Sequence, residues 1–332
     1  MTLKIAIVGT GSVARNNYLP YLSKQPDVVL TYFSRTPAKA EECAKTFGGR
    51  MVASVGELLA DEPDAVLVLT RETQRFEAIT AILDAGRPKR LFLEKPLVAA
   101  NGQASVCEDD FFKARELLRR ARSVGTETAM VFNYRFFEQT QRARKIVSER
   151  GFGKLNLASL AVNYACWSHC IDLLHLFGGK VVEISALAGE PASDGGKPRP
   201  ADVVAVFKTA EGAAGTILGT SGIKFDLPLY EIMLSFEKGI IRFGDLDVEM
   251  SVWENGNRYR ESHDLIGNHS RWDPYKASFG QSLAAYLESL RRGTPPPIPG
   301  IAGLEELQFE AALRRSVAER RPVKVQDEFP LE

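Results

Sequence analysis

Lys95 closes the apolar run Leu91, Phe92, Leu93, with Glu94 before it and Pro96 after it. The run reads as a buried parallel strand, and open α/β sheets hold ligands outside the carboxyl ends of such strands. A lysine at that point sets a cation in the ligand crevice, where it can stabilise charge developing on a reacting oxygen. Pro96 ends the strand and can aim the lysine, including through a cis bond. Taken alone, Glu-Lys-Pro also suits a surface lysine at a strand end, so the rest of the chain must decide.

A second cluster able to do chemistry lies at residues 163–172, Asn-Tyr-Ala-Cys-Trp-Ser-His-Cys-Ile-Asp. It reads as the junction of a strand with a helix. His169 and Asp172 are three apart and are expected on one helix face. An imidazole can exchange a proton near neutral pH. A carboxylate beside it can bond a substrate hydroxyl or hold the imidazole. Trp167 suits either a core or a sugar ring, since an amphipathic aromatic serves both. Cys166, His169, Cys170 and His175 raise the question of zinc, but His175 lies six beyond His169 and is poorly placed to converge with the others. No metal is expected.

These groups need a scaffold, and the N-terminus supplies its signature. Lys4–Val8 is a short apolar strand, followed by Gly9-Thr10-Gly11-Ser12-Val13-Ala14, a G-x-G-x-x-A turn. Gly9 permits the tight turn, Gly11 lets a pyrophosphate approach the backbone, and Ala14 lets the helix pack on the strand. The helix begins near Ser12, and its free N–H groups favour an anion, so Gly9, Gly11, Ser12 and Val13 are expected cofactor contacts. The next strand, Val28–Phe33, ends in Ser34-Arg35-Thr36. An acidic residue there would bond the ribose hydroxyls of NAD. Arg35 with two hydroxyls instead suits a 2′-phosphate, so NADP(H) is expected over NAD(H); the other reading of Arg35 is a residue capping the next helix.

Apolar runs at 4–8, 28–33, 65–69, 90–94 and 127–132 alternate with helical patterns, which predicts a doubly wound parallel sheet. Residues 99–112 read as a polar loop leading into a helix. Beyond residue 135 strands dominate, at 154–163, 181–189, 201–208, 213–219, 229–236 and 239–254, with a turn at 190–200. Many are too close for helical crossovers, so the second sheet should be mostly antiparallel. Phe279, Leu283, Tyr286, Leu287 and Leu290 mark the apolar face of a later helix, which Gly293 and Pro295–Pro297 end. The expected division is a dinucleotide-binding domain at 1–135 and an α+β substrate domain at 136–332.

The sequence resembles the glucose-fructose oxidoreductase / inositol dehydrogenase / MocA-like oxidoreductases nearly end to end. The resemblance rests on the KIAIVGTGSVA opening, SRTPAKAEECAKTFG, PDAVLVLT, DAGRPKRLFLEKPL, NYRFF, WSHCIDLLHLFGG and the C-terminal tail from Gly293. It implies a Rossmann domain plus an open α+β domain whose sheet packs between subunits as a homodimer or homotetramer. It also implies hydride transfer between nicotinamide and an alcohol or ketone carbon of a sugar, sugar derivative or cyclitol. Lys95 and His169 are then the catalytic pair, Glu94 and Lys95 border the cofactor, and Asp172 binds substrate. The family commonly has an aspartate four residues before the histidine; here that position is Ala165, so either Lys95 carries more of the chemistry or Tyr164, Ser168 or Asn163 substitutes in the proton relay, and Asn163, Tyr164 and Trp167 are expected beside Asp172 at the substrate. The family's proline-asparagine turn after the third main strand is replaced by Thr70-Arg71-Glu72-Thr73-Gln74-Arg75. Thr70 and Arg71 are expected at the cofactor. Arg71 and Arg75 can contact cofactor or an anionic substrate, or stand as exposed turn residues. The two departures keep a second reading open, an inactive NADP-binding regulatory or scaffold protein of the same fold.

Composition sets limits. A chain of 332 residues, 45% hydrophobic and 25% charged, has the profile of a globular protein of two domains. Lys+Arg and Asp+Glu are both 42, so no global field favours nucleic acid. No apolar run is long enough to cross a membrane. Four cysteines are too few for a disulfide framework, and the cytoplasm is the expected compartment.

Overall fold

The computed structural model describes residues 2–194 and 197–332. The first sheet is fully parallel, with strands β1 (Leu3–Val8), β2 (Val28–Phe33), β3 (Arg50–Met51), β4 (Ala65–Val68), β5 (Arg90–Leu93) and β6 (Glu127–Met130). Their order, 3-2-1-4-5-6, is the doubly wound arrangement with its switch point between β1 and β4. β4 is buried at every position, as a strand covered on both faces must be.

The second sheet has nine strands. They are β7 (Leu155–Asn163), β8 (Val181–Ala188), β11 (Val203–Thr209), β12 (Ala214–Thr220), β13 (Tyr230–Phe236), β14 (Gly239–Gly244), β15 (Glu249–Glu254), β16 (Glu261–Asp264) and β17 (Val323–Lys324), in the order 16-15-14-13-7-12-11-8-17. Every neighbouring pair is antiparallel except β7 with β12. β11 alternates strictly between buried and exposed positions, so one face meets helices and the other does not. Within the turn expected at 190–200, β9 (Ala192–Asp194) and β10 (Lys197–Arg199) form a separate ladder; Gly195 and Gly196 lie outside the described residues.

Several boundaries differ from expectation for local reasons. The single strand expected at 239–254 is two, folded at Asp245 and Asp247, whose φ values of 55° and 60° reverse the chain. The polar loop at 99–112 ends earlier, because Glu108, Asp109 and Asp110 form the first turn of helix Glu108–Ser123. Acidic side chains there suit the helix dipole, and Asp110 also accepts the N–H groups of Ala100 and Cys107. β3, β16 and β17 are short and largely polar, and carry no readable alternation.

The later apolar helix, Trp272–Arg292, follows β16 of the second sheet in sequence but packs on the first. Phe279 meets Tyr18 at a ring separation of 5.5 Å, and Tyr286 meets Phe92 at 4.6 Å. With Leu283 and Leu287 they complete the core on one side of the parallel sheet. The next helix, Ile301–Glu319, returns to the second sheet at β8. No helix among the described residues is long and apolar enough to cross a membrane.

Candidate active site

The carboxyl ends of β1, β2, β4 and β5 open into a cleft of about 860 Å3 that reaches the second lobe. At its floor Gly9 has a φ of 97°, and a Cβ there would fall 2.7 Å from the backbone nitrogen of Thr70. Only glycine satisfies both constraints. A Cβ on Gly11 would meet nothing within 4 Å, so the backbone there faces open space. The hydroxyl oxygens of Thr10 and Thr70 are buried without a partner among the described residues. A close-approach glycine, unused donors and the following helix start make this loop fit a dinucleotide pyrophosphate. That helix opens with a π turn over Ala14–Tyr18, which brings Asn17 to the cleft wall.

Ser34, Arg35 and Thr36 line the β2 end of the cleft, joined by Lys39. The Ser34 hydroxyl accepts the Thr36 N–H at 3.3 Å and shapes the turn. Arg15, also in the wall, is paired with Glu42 at 3.1 Å. Val13 and Ser12 border the same space, as do Thr70 and Arg71 after β4.

At the β5 end, the Lys95 ammonium donates to Gln103 Oε1 at 3.1 Å and to the Ala165 carbonyl at 3.4 Å. The Lys95–Pro96 bond is cis. Glu94 is buried and accepts from the Tyr18 hydroxyl at 2.5 Å and from the Lys95 N–H at 2.8 Å. Arg75 is buried, donating to the Thr70 carbonyl at 2.8 Å and to that of Pro96. It ties the ends of β4 and β5 together, so the exposed-turn reading of Arg75 is corrected.

His169 comes from the other lobe, on helix Trp167–Gly178, and lines the same cleft as Lys95. Its ring stacks on Tyr134 at 3.9 Å and meets Phe132 edge-on at 5.9 Å. Burial, reinforced by the Lys95 charge, holds the imidazole well below its usual range, so it is neutral at pH 7. Nδ1 is buried and finds no partner among the described residues.

The four residues expected to hold substrate do not line the cleft, and each is occupied structurally. Asp172 is 2% exposed and accepts from both Arg135 Nε at 2.8 Å and Nη2 at 2.6 Å. It turns toward Arg135 and not toward the imidazole. Breaking such a buried pair by removing one partner typically costs about 3–5 kcal/mol, which makes Asp172 a structural anchor. Asn163 caps the short 3-10 turn Tyr164–Cys166, accepting the Ala165 N–H at 2.7 Å and donating to the Ile223 carbonyl at 2.7 Å. The Tyr164 hydroxyl donates to the Ala201 carbonyl at 2.6 Å. Trp167 is buried, and Gly219 leaves room for its ring, since a Cβ there would come within 2.8 Å of it.

The Lys95–His169 end of the cleft is instead lined by Gln103, Asn133 and Tyr275, which sequence spacing does not single out. Asn133 belongs to the quoted NYRFF segment and donates to the Ser278 hydroxyl at 2.7 Å. Gln103 sits in an ordinary-looking polar loop, and Tyr275 in a helix far along the chain.

Known proteins share the fold of this chain and part of its sequence. Residues 3–124 match the family model described as oxidoreductase family, NAD-binding Rossmann fold. Glucose-6-phosphate 3-dehydrogenase of Bacillus subtilis is 23% identical over 161 residues, 48% of this chain and 42% of that protein. D-glucoside 3-dehydrogenase of Escherichia coli is 27% identical over 167 residues, 49% of this chain and 44% of that protein. The chain thus spans under half the length of the curated relatives it matches. The structure of an Agrobacterium radiobacter oxidoreductase in complex with NAD+, L-tartaric acid and magnesium shares the fold. Its TM-score is 0.80 at 15% identity, covering 99% of this chain and 100% of that one. The family match thus covers the nucleotide-binding domain, residues 3–124, and agrees there with the resemblance to the glucose-fructose oxidoreductase / inositol dehydrogenase / MocA-like oxidoreductases.

Proposed function

We propose that the chain is a nicotinamide-dependent oxidoreductase, using NADP(H) over NAD(H), that interconverts alcohol and ketone at a carbon of a sugar, sugar derivative or cyclitol. The observation that carries the reading is one continuous cleft joining the Gly9–Gly11 loop and Arg35 to Lys95 and His169. When bound, the nicotinamide supplies or accepts the hydride. The protein does the remainder. In the oxidation direction the neutral His169 imidazole accepts the hydroxyl proton as the carbon loses hydride. Lys95, oriented by Gln103 and the Ala165 carbonyl, stabilises negative charge on that oxygen. The names of the two curated relatives support a sugar hydroxyl as the reacting group.

NADP(H) is favoured by the residues at the β2 end. Arg35 and Lys39 line the cleft where a 2′-phosphate would sit, and the 34–36 turn carries no carboxylate to repel it. Calorimetry should therefore give tighter binding of NADPH than NADH. Arg35→Ala should weaken NADPH about ten- to a hundredfold and leave NADH nearly unchanged. Equal losses for the two cofactors would remove the phosphate-pairing role.

The free cysteines suit the reducing cytoplasm. The outer face of the nine-stranded sheet suits a second copy of the chain. Leu187, Val204 and Leu218 stand side by side across β8, β11 and β12, and all three are exposed, with Leu157 and Val206 also apolar and exposed on the same sheet. Such a face is unusual on a monomer. Sedimentation should give a dimer or tetramer that Val204→Glu dissociates, and a native monomer at assay concentration would end this reading.

A further inference from the structure

Helix Trp272–Arg292 carries Phe279 and Tyr275 into the wall of the cleft. Trp272 lies three residues before Tyr275, on the same helix face and one turn further out. Its ring meets Tyr275 edge-on at 5.7 Å and is partly exposed. Across from it the ring of Phe225 lies nearly parallel, at 13° and 6.5 Å, and is 57% exposed.

Phe225 belongs to the segment between β12 and β13, and two ties fix that segment beside the reacting groups. Asn163 donates to the Ile223 carbonyl at 2.7 Å, and Asn163 also caps the turn whose Ala165 carbonyl receives Lys95. Arg271 donates to the carbonyls of Leu227, at 2.7 Å, and Phe225, and is paired with Asp245 at 2.5 Å. The same guanidinium lies 5.4 Å from the centre of the Trp272 ring. The two aromatics thus stand on a loop and a helix tied to each other, with solvated apolar surface that a ligand would cover. With Arg271 committed to Asp245 and two carbonyls, the cation packed on this shelf is not free for a phosphate.

We propose that the cleft continues past Tyr275 into an aromatic subsite made by Trp272 and Phe225, and that the substrate is a glycoside whose anomeric substituent rests a flat or apolar ring face there. The inference rests on the sugar-oxidoreductase reading above. In it the reacting ring lies at Lys95 and His169, and the second ring stacks on the shelf. Aromatic rings favour flat partners and the apolar faces of sugars over a small alkyl group.

The test compares phenyl and methyl β-D-glucopyranoside binding to the NADPH-loaded protein by calorimetry, which needs no turnover. The phenyl glucoside should bind about tenfold tighter, the order expected for one aromatic contact. Trp272→Ala should bring it to the level of the methyl compound. Phe225→Ala, on an exposed loop and so without consequence for folding, should do the same. Equal affinities, a preference that survives both substitutions, or no binding of either glucoside would overturn the subsite. Turnover with NADP+ separates the two readings. Selective binding without oxidation leaves the subsite and removes the oxidoreductase, whereas oxidation of both glucosides at equal KM does the reverse.

Discussion

Lys95→Ala should lower turnover by about a hundredfold or more while NADP(H) affinity stays near the native value. The ammonium lies at the carboxyl end of β5, in the cleft, with two anchors that fix its direction without neutralising it: the Gln103 amide oxygen and the Ala165 carbonyl. Neither is charged, so the full positive charge remains available to an oxygen that becomes anionic. The backbone beneath it is held by Glu94, which accepts the Lys95 N–H, and by Arg75 on the Pro96 carbonyl. Loss of the side chain therefore removes one electrostatic stabiliser and leaves the scaffold in place. Steady-state kinetics on a sugar substrate, beside calorimetry with NADPH, checks it. Near-native turnover would exclude Lys95 from the chemistry. Tight NADP(H) binding with no turnover by the native protein across a broad sugar and cyclitol panel would favour the regulatory alternative raised by Ala165.

His169→Asn should depress kcat/KM for oxidation by about two to four orders of magnitude, the usual contribution of a positioned acid or base. Asparagine keeps polarity and cannot carry the proton. The pH profile supplies the sign. Burial and Lys95 hold the folded imidazole below its ordinary value of 6.5, so the base form persists as the pH falls through 6.5. The native oxidation rate should stay level there and decline only at lower pH, and the variant should lack that limb. A native limb at or above 6.5 would assign the proton to another group. The same shift acts on stability. Above 6.5 both states hold a neutral ring. Below it the unfolded chain binds a proton that the folded chain resists, so stability is lost as the pH falls.

The Gly9–Thr36 end of the cleft was legible because its constraints are local. A glycine with positive φ, an open glycine and a strand end occupy adjacent positions, and Gly9, Gly11, Ser34, Arg35 and Lys95 all line the cleft as spacing suggested. The Lys95–His169 end was not. Spacing on a helix tells which residues are neighbours, but not which neighbour faces the cleft. His169 and Asp172 are one turn apart, yet one faces Lys95 and the other Arg135. The signal was Arg135 itself, an arginine between aromatics in NYRFF that needed a buried acid. Gln103, Asn133 and Tyr275 come from a loop, a 3-10 turn and a distant helix, and only the tertiary fold brings them together.

The path of helix Trp272–Arg292 bears on how this molecule can be recombined. Its Phe279, Leu283, Tyr286 and Leu287 share one core with Tyr18 and Phe92, so the nucleotide lobe is not a contiguous stretch of chain. Cut after residue 135, that lobe would present a bare aromatic wall where Tyr18 and Phe92 now meet Phe279 and Tyr286. A chimera that exchanges nucleotide domains to change cofactor use must carry residues 272–292 with them. That transplant also moves Tyr275 and Trp272, so an exchange meant to alter cofactor use at Ser34–Thr36 carries one wall of the Lys95–His169 end of the cleft with it.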